Sequence, residues 1–300
     1  RGLGDVYKRQ ELAWAVKRRV RKPIPTGLSD FMLTGKSAVI TGASYGLGHV
    51  MSLALVRAGI RVFGVARSAD LLNSLAQDAK AETGRDLFVP VSADLSTRAG
   101  CDDALQKITT FAGGVDILIN NAGVGANFAR PPGHVGPLRF WECDPQKWDQ
   151  AVFLNHHAPF HLALHLVPHM IAQSWGRVIN VTTNFHTMLG AGRSCYGPGK
   201  AGLEASTLIW SKELQGSGVT VNILNPGGPT ATPIHAKSRG SELHDMLQPQ
   251  IMAAPILWLC SEQANGVTGR RFDAKFWDPA WTDPVMDVVS KPAAWDSLSM

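Results

Sequence analysis

The sequence predicts an α/β fold: one doubly wound domain around a mostly parallel, seven-stranded sheet. Two observations predict it. From residue 35 onward, short runs rich in β-branched residues alternate with helical stretches, and those runs are almost continuously apolar. Apolar strands without a polar alternate face mean a parallel sheet covered on both sides by its crossover helices. Neither an internal repeat nor a linker divides the chain.

The strands follow in order. Residues 37–42 (SAVITG), 61–66 (RVFGVA), 87–92 (LFVPVS), 115–120 (VDILIN), 177–182 (RVINVT) and 220–225 (TVNILN) read as buried strands. Residues 269–276 (GRRFDAKF) add the seventh. Helices are expected to begin near Gly46, Asp70, Arg98, Pro145 and Ser194. In the last of these, Ser194 suits an N-cap and Pro198 a first turn, with Leu203, Leu208 and Trp210 as buried positions. The domain spans residues 31–300. Two stretches rich in Gly and Pro, residues 123–145 and 227–250, interrupt the alternation. In open α/β sheets ligands bind beyond the carboxyl ends of strands, so these are the expected substrate loops. The tail, with Trp281 and Trp295, is expected to cover the site or a subunit interface.

Composition narrows the function classes. The chain is 45% hydrophobic and 18% charged, as in a soluble globular protein, with a formal charge of +5. That charge is not on a folded face: residues 1–22 hold eight Lys or Arg against two acids, leaving 21 basic and 22 acidic residues elsewhere. A nucleic-acid surface is therefore not expected. Residues 1–30 read as a basic leader, of which 1–10 resemble a non-native scar. The leader is too short in apolar residues to span a membrane but is compatible with peripheral membrane contact. Cys101, Cys143, Cys195 and Cys260 are scattered, which fits a reducing cytoplasm, and Cys195 reads as a structural residue.

The chemistry lies in short motifs. TGASYGLG (41–48) joins the first strand to the first helix: Gly42 permits the tight turn, while Gly46 and Gly48 let backbone approach a pyrophosphate at the helix N-terminus. Its glycine spacing, together with Asn120-Asn121-Ala122-Gly123 after the fourth strand, Asn155, Tyr196-x-x-x-Lys200 and Pro226-Gly227, resembles the short-chain dehydrogenase/reductase family. Thr183 stands thirteen residues before Tyr196, where that family usually has Ser. The likeness runs from residue 37 to about 275. It implies a Rossmann fold and interconversion of a ketone and a secondary alcohol by hydride transfer, on a small-molecule substrate such as an oxoacyl thioester or a polyol.

The resemblance also implies roles. Tyr196 would exchange the proton, Lys200 would lower its pKa and hold the nicotinamide ribose, Thr183 would hydrogen-bond the carbonyl oxygen, and Asn155 would position a water leading to Lys200. A lysine charge ~4 Å from a phenol is worth about 4 kcal/mol at an effective dielectric near 20, enough to move it toward working pH. The cofactor would lie along Gly42, Ser44, Tyr45, Gly46, Leu47, Gly48, Arg67, Ser68, Asp94, Leu95, Asn121, Ala122, Gly123, Tyr196, Lys200, Pro226, Gly227 and Thr232. At the end of the second strand Ala66 replaces the ribose-binding acid and Arg67 follows, which favours NADP(H) over NAD(H), although Tyr45 fills the position of a second basic marker. His157, His161, His165 and His169 recur at four-residue steps without an accompanying carboxylate, so a structural or interface role is expected rather than a metal site. A homodimer or homotetramer is expected. The rival reading is a nucleotide-sensing, non-catalytic protein on the same fold; the presence of both Tyr196 and Lys200 speaks against it.

Overall fold

The computed structural model describes residues 33–232, 246–278, 284 and 286–294. The expected leader, the middle of the 227–250 loop, and Trp281 and Trp295 lie outside the described residues. Seven strands appear where the sequence places them: β1 (Ser37–Thr41), β2 (Arg61–Ala66), β3 (Phe88–Ser92), β4 (Ile117–Asn120), β5 (Gly176–Val181), β6 (Val219–Asn225) and β7 (Arg270–Asp273). An eighth, β8 (Ser290–Pro292), corrects the expected count. It is three residues long and pairs antiparallel with β7 at the sheet edge, where a proline is tolerated. So short a strand leaves no alternation to read.

The sheet order is β3-β2-β1-β4-β5-β6-β7-β8, with β1 to β7 parallel. The chain reverses its direction of winding between β1 and β4, and this opens a crevice at their carboxyl ends. One face is covered by α1 (Gly46–Arg57), α2 (Ala69–Thr83) and α8 (Ala253–Cys260), the other by α3 (Arg98–Ala112), α5 (Ala158–Ala172) and α7 (Gly197–Glu213). Met51, Leu55, Leu72 and Ile256 fill the first layer; Ile108, Leu162, Val178 and Val221 fill the second. Each such fully buried aliphatic side chain contributes about 1.5–3 kcal/mol. No helix among the described residues is long and apolar enough to cross a membrane.

Two local features differ from expectation. The N-cap of α7 is Tyr196 rather than Ser194, because Tyr196 and Gly197 both donate backbone N–H groups to the Arg193 carbonyl. The Ser194 hydroxyl instead meets the Cys143 thiol at 3.3 Å. Along α7, which follows the short helix α6 (Phe185–Leu189), Leu203 is buried as expected, but Leu208 and Trp210 are only half-buried. Between α4 (Pro145–Val152) and α5 the helix widens into a single π turn, Phe153–His157. Asn155 lies inside that turn and is fully buried.

Of the histidine run only His161 is buried. His161 bonds Asp102 of α3 at 2.6 Å and contacts Arg98 at 3.2 Å, while His165 donates to the His161 carbonyl at 2.8 Å. Gly114 leaves the room that the His169 ring occupies.

Candidate active site

The glycine turn and the strand-four motif are one unit. The Thr41 hydroxyl accepts the N–H groups of Asn121 and Ala122, both at 2.9 Å. In return, the Asn121 amide donates to the carbonyls of Thr41 (2.8 Å) and Gly42 (3.2 Å). Gly42 has φ +67, and a Cβ on Gly48 would sit 2.2 Å from the Gly42 carbonyl oxygen, so neither position admits a side chain without movement. Ser44 is buried, Tyr45 is exposed, and Leu47 packs on the core. Gly46, at φ +62, opens α1. Tyr45 gives α1 no side-chain cap, which leaves its first-turn N–H groups to an external acceptor.

At the next strand ends, four side chains converge. The Tyr196 phenol shares a hydrogen bond with the Thr183 hydroxyl. Burial pushes the phenol above its ordinary value, against that hydrogen bond and the charge of Arg193. Lys200, one turn on, is buried and donates to the Val181 carbonyl at 2.8 Å. Burial pulls Lys200 down to about 8, opposed by the Glu204 carboxylate. The expected lowering of the phenol by Lys200 is thus not what the structure shows: the ammonium is turned toward β5, and Thr183 and Arg193 are the groups that act on Tyr196.

Asn155 donates to the Val124 carbonyl at 3.1 Å, whereas its buried Oδ1 meets no partner among the described residues. A Cβ on Gly123 would stand 2.6 Å from that oxygen and 3.4 Å from Lys200 Nζ. Gly123 therefore keeps open the space between the two groups. Gly199 does the same service behind Asn155, where a Cβ would come within 2.9 Å of the asparagine Cβ.

The remaining expected cofactor residues lie at the carboxyl ends of neighbouring strands. Arg67 is exposed just past β2 and Ser68 precedes α2. Asp94, exposed after β3, accepts the Ser96 N–H at 3.0 Å, and Leu95 is buried. After β6, Asn225 accepts the Gly227 N–H at 2.8 Å, the Pro226 carbonyl accepts from Lys275 at 3.1 Å, and Thr232 is half-buried. The 123–145 stretch, expected to contact substrate, meets the segment before α7 through the Cys143–Ser194 contact, and buried Cys195 donates its thiol to the Ala126 carbonyl at 3.3 Å.

Two residues of the site are invisible to motif reasoning. Glu204, with no exposed surface, pairs with Arg271 of β7 directly behind Thr183 and Lys200. The only sequence signal is the four-residue step from Lys200 to Glu204, which on most helices marks a solvated ion pair.

Comparison with known proteins agrees with this geometry. Residues 36–242 match the family model for short chain dehydrogenase. The chain is 29% identical over 246 residues to a 3-oxoacyl-[acyl-carrier-protein] reductase of Thermotoga maritima, covering 79% of this chain and 95% of that one. It is 31% identical over 201 residues to D-beta-hydroxybutyrate dehydrogenase of Cupriavidus necator, covering 65% and 71%. Among solved structures, L-sorbose reductase of Gluconobacter frateurii, complexed with NADPH and L-sorbose, superimposes with a TM-score of 0.67 at 27% identity, over 78% of this chain and 93% of that one.

Proposed function

The chain belongs to the short-chain dehydrogenase/reductase family, and from that premise we propose that it interconverts a ketone and a secondary alcohol with NADP(H), using Tyr196 as proton donor and acceptor. The observation that carries the reading is half-buried Tyr196 beside the Thr183 hydroxyl, with buried Lys200 one turn away on the same helix.

The residues present fit the dinucleotide. The uncapped start of α1, the side-chain-free approach at Gly42 and Gly48, and the orphaned Asn155 oxygen across from Lys200 form a cradle along the sheet edge. Gly42 to Gly48 would hold the pyrophosphate, Asp94 and Leu95 the adenine side, and Asn121 to Gly123 with Lys200 the nicotinamide riboside. Arg67 is exposed where a ribose phosphate would emerge, and Ala66 brings no carboxylate to repel it; both support NADP(H). Bound there, the cofactor supplies or accepts the hydride.

The protein's own residues handle the proton. Because burial raises the phenol, Tyr196 holds its proton at neutral pH and is ready to give it to a carbonyl oxygen. Thr183 fixes the phenol's orientation and offers that oxygen a second contact. Lys200 spends one ammonium hydrogen on Val181 and has two more for the ribose and the phenol side. The Asn155 oxygen and Lys200 bracket a space suited to a bridging water. A ketone on an acyl thioester or a sugar would enter along residues 123–145. Exposed Phe160, Leu164 and Ile209 on α5 and α7 support assembly as a homodimer or homotetramer, and the four free cysteines fit a reducing cytoplasm.

The test is a panel of 3-oxoacyl thioesters, ketoses and cyclic ketones, followed by NADPH absorbance, with wild type and Tyr196→Phe. Wild type is expected to turn over at least one class. Tyr196→Phe should lose roughly a hundredfold or more in kcat while binding NADPH nearly as well. Comparable rates in the two proteins would overturn the assignment of the proton to Tyr196.

A further inference from the structure

Glu204 is a carboxylate with no exposed surface, placed one turn beyond Lys200 on α7. Among the described residues, each of its hydrogen-bond and ion-pair partners is a donor. Arg271 of β7 forms an ion pair with its Oε1, the Thr182 hydroxyl donates to the same oxygen at 2.5 Å, and the Ala294 N–H donates to Oε2 at 3.3 Å. Ala294 adopts φ +54, in the left-handed region that alanine rarely enters, and its N–H is directed at Glu204. Burial raises the Glu204 carboxyl overall, with Asp273 adding to it, while Arg271, the Thr182 hydroxyl and the Ala294 N–H pull the other way and fit the ionised form.

The pair reaches the site from both of its halves. Arg271 Nη2 donates to the Thr183 carbonyl at 2.7 Å, so the guanidinium grips the backbone of the residue whose hydroxyl bonds Tyr196. The Phe185 ring lies 4.9 Å from the same guanidinium, and Asp273 stands 3.7 Å from it. Glu204, for its part, is the negative group that acts on Lys200. A buried ion pair stabilises a fold no better than apolar residues of similar volume. Its placement, bonded to one site residue and acting on another, therefore calls for a different explanation.

We propose that Glu204 and Arg271 are positioning residues, with Arg271 anchoring Thr183 from behind and Glu204 supplying the negative charge that keeps Lys200 an ammonium. This rests on the roles of Thr183 and Lys200 given above. Among the described residues, the charged and titratable groups facing the pair are Lys200 from α7 and Asp273 from β7.

The decisive measurement needs no substrate. In cofactor-free protein with carbon-labelled lysine, the Lys200 side-chain resonance, assigned by its loss in Lys200→Met, is followed against pH. In Glu204→Gln its midpoint should fall by about one unit, and Glu204→Asp should restore most of the difference. Should Glu204→Gln fold poorly, the double variant Glu204→Gln/Arg271→Met removes both buried charges, recovers stability, and should show the same displaced midpoint. With an active ketone from the panel, kcat at pH 8 should drop about tenfold in either variant, with KM changed less than about twofold. A folded variant with the wild-type midpoint overturns the inference. Tyr196→Phe, run alongside, separates this failure from the other: full activity there sinks the proposed function, while an inactive Tyr196→Phe beside an unshifted Glu204→Gln sinks only the positioning role.

Discussion

Two buried cations sit at opposite ends of one strand and could hardly be used more differently. Arg177, near the start of β5, is fully buried, donates to the carbonyls of Gly176 and Ser261 and to the Asn265 side chain at 3.0, 2.9 and 2.5 Å, and lies 4.3 Å over the Trp175 ring. Lys200, at the strand's far end, is bonded to a single carbonyl. Burial lowers both, but a guanidinium begins so high that it stays charged, whereas Lys200 comes down to about 8. One cation is a strut whose two terminal nitrogens are tied to fixed acceptors. The other holds hydrogens in reserve and lies within reach of titration, which is what proton chemistry requires. Arg67 extends the series: it is exposed just past β2, where we propose that it meets the cofactor's ribose phosphate.

The comparison breaks most visibly under paired substitutions. Lys200→Met should cut kcat by roughly a hundredfold or more and weaken NADPH binding, while leaving a stable fold. Arg177→Met strands the Ser261 and Asn265 acceptors and should cost about 3–5 kcal/mol of stability. The kcat of its folded fraction should stay within about twofold of wild type. Urea unfolding beside turnover per folded molecule decides this, and two variants with the same profile would erase the distinction.

A second, smaller effect sharpens it. Lys200 is depressed in the folded state, so between about pH 8 and the ordinary lysine value the unfolded chain binds more protons than the folded one. Its contribution to stability therefore rises with pH through that window, by about 3 kcal/mol. Tyr196, Cys101 and Cys260 are raised acids and pull the other way as pH climbs. Subtracting the Lys200→Met curve from wild type isolates the lysine, and parallel curves from pH 7 to pH 10 would contradict the depressed value. Smallest of all, Arg67→Ala should weaken NADPH about tenfold more than NADH, equal to about 1.4 kcal/mol, because charge-assisted bonds at an exposed site are discounted by solvent. Equal losses for the two cofactors in titrations at fixed ionic strength would remove Arg67 from the phosphate.

Residues that act through local grammar were legible in the sequence. The turn at Gly42, the Tyr196–Lys200 step and the seven parallel strands each depend on neighbours a few positions away, and periodicity or glycine spacing exposes them. Glu204 was not legible, because its burial is decided by Arg271, 67 positions distant, arriving on another strand. Nor was β8, whose three residues acquire strand character only by lying against β7. The orientation of Lys200 toward Val181 belongs with these: spacing places two side chains on one face of a helix, but the backbone carbonyl that one of them meets is a product of tertiary packing.

The π turn at Phe153–His157 carries one residue more than an α-helix would use over that span. It amounts to one extra residue wound into the helix, and the helix cannot lose it quietly. Removing any one residue of the turn would restore regular winding and improve the local hydrogen bonds. It would also rotate everything on one side of the deletion by about 100° relative to the other. Either Asn155 would swing away from the gap beside Gly123, or Leu162 and Leu166 would leave the sheet. The length of this helix, and not only its composition, is thus under constraint, so that a shorter and nominally better helix would make a worse protein.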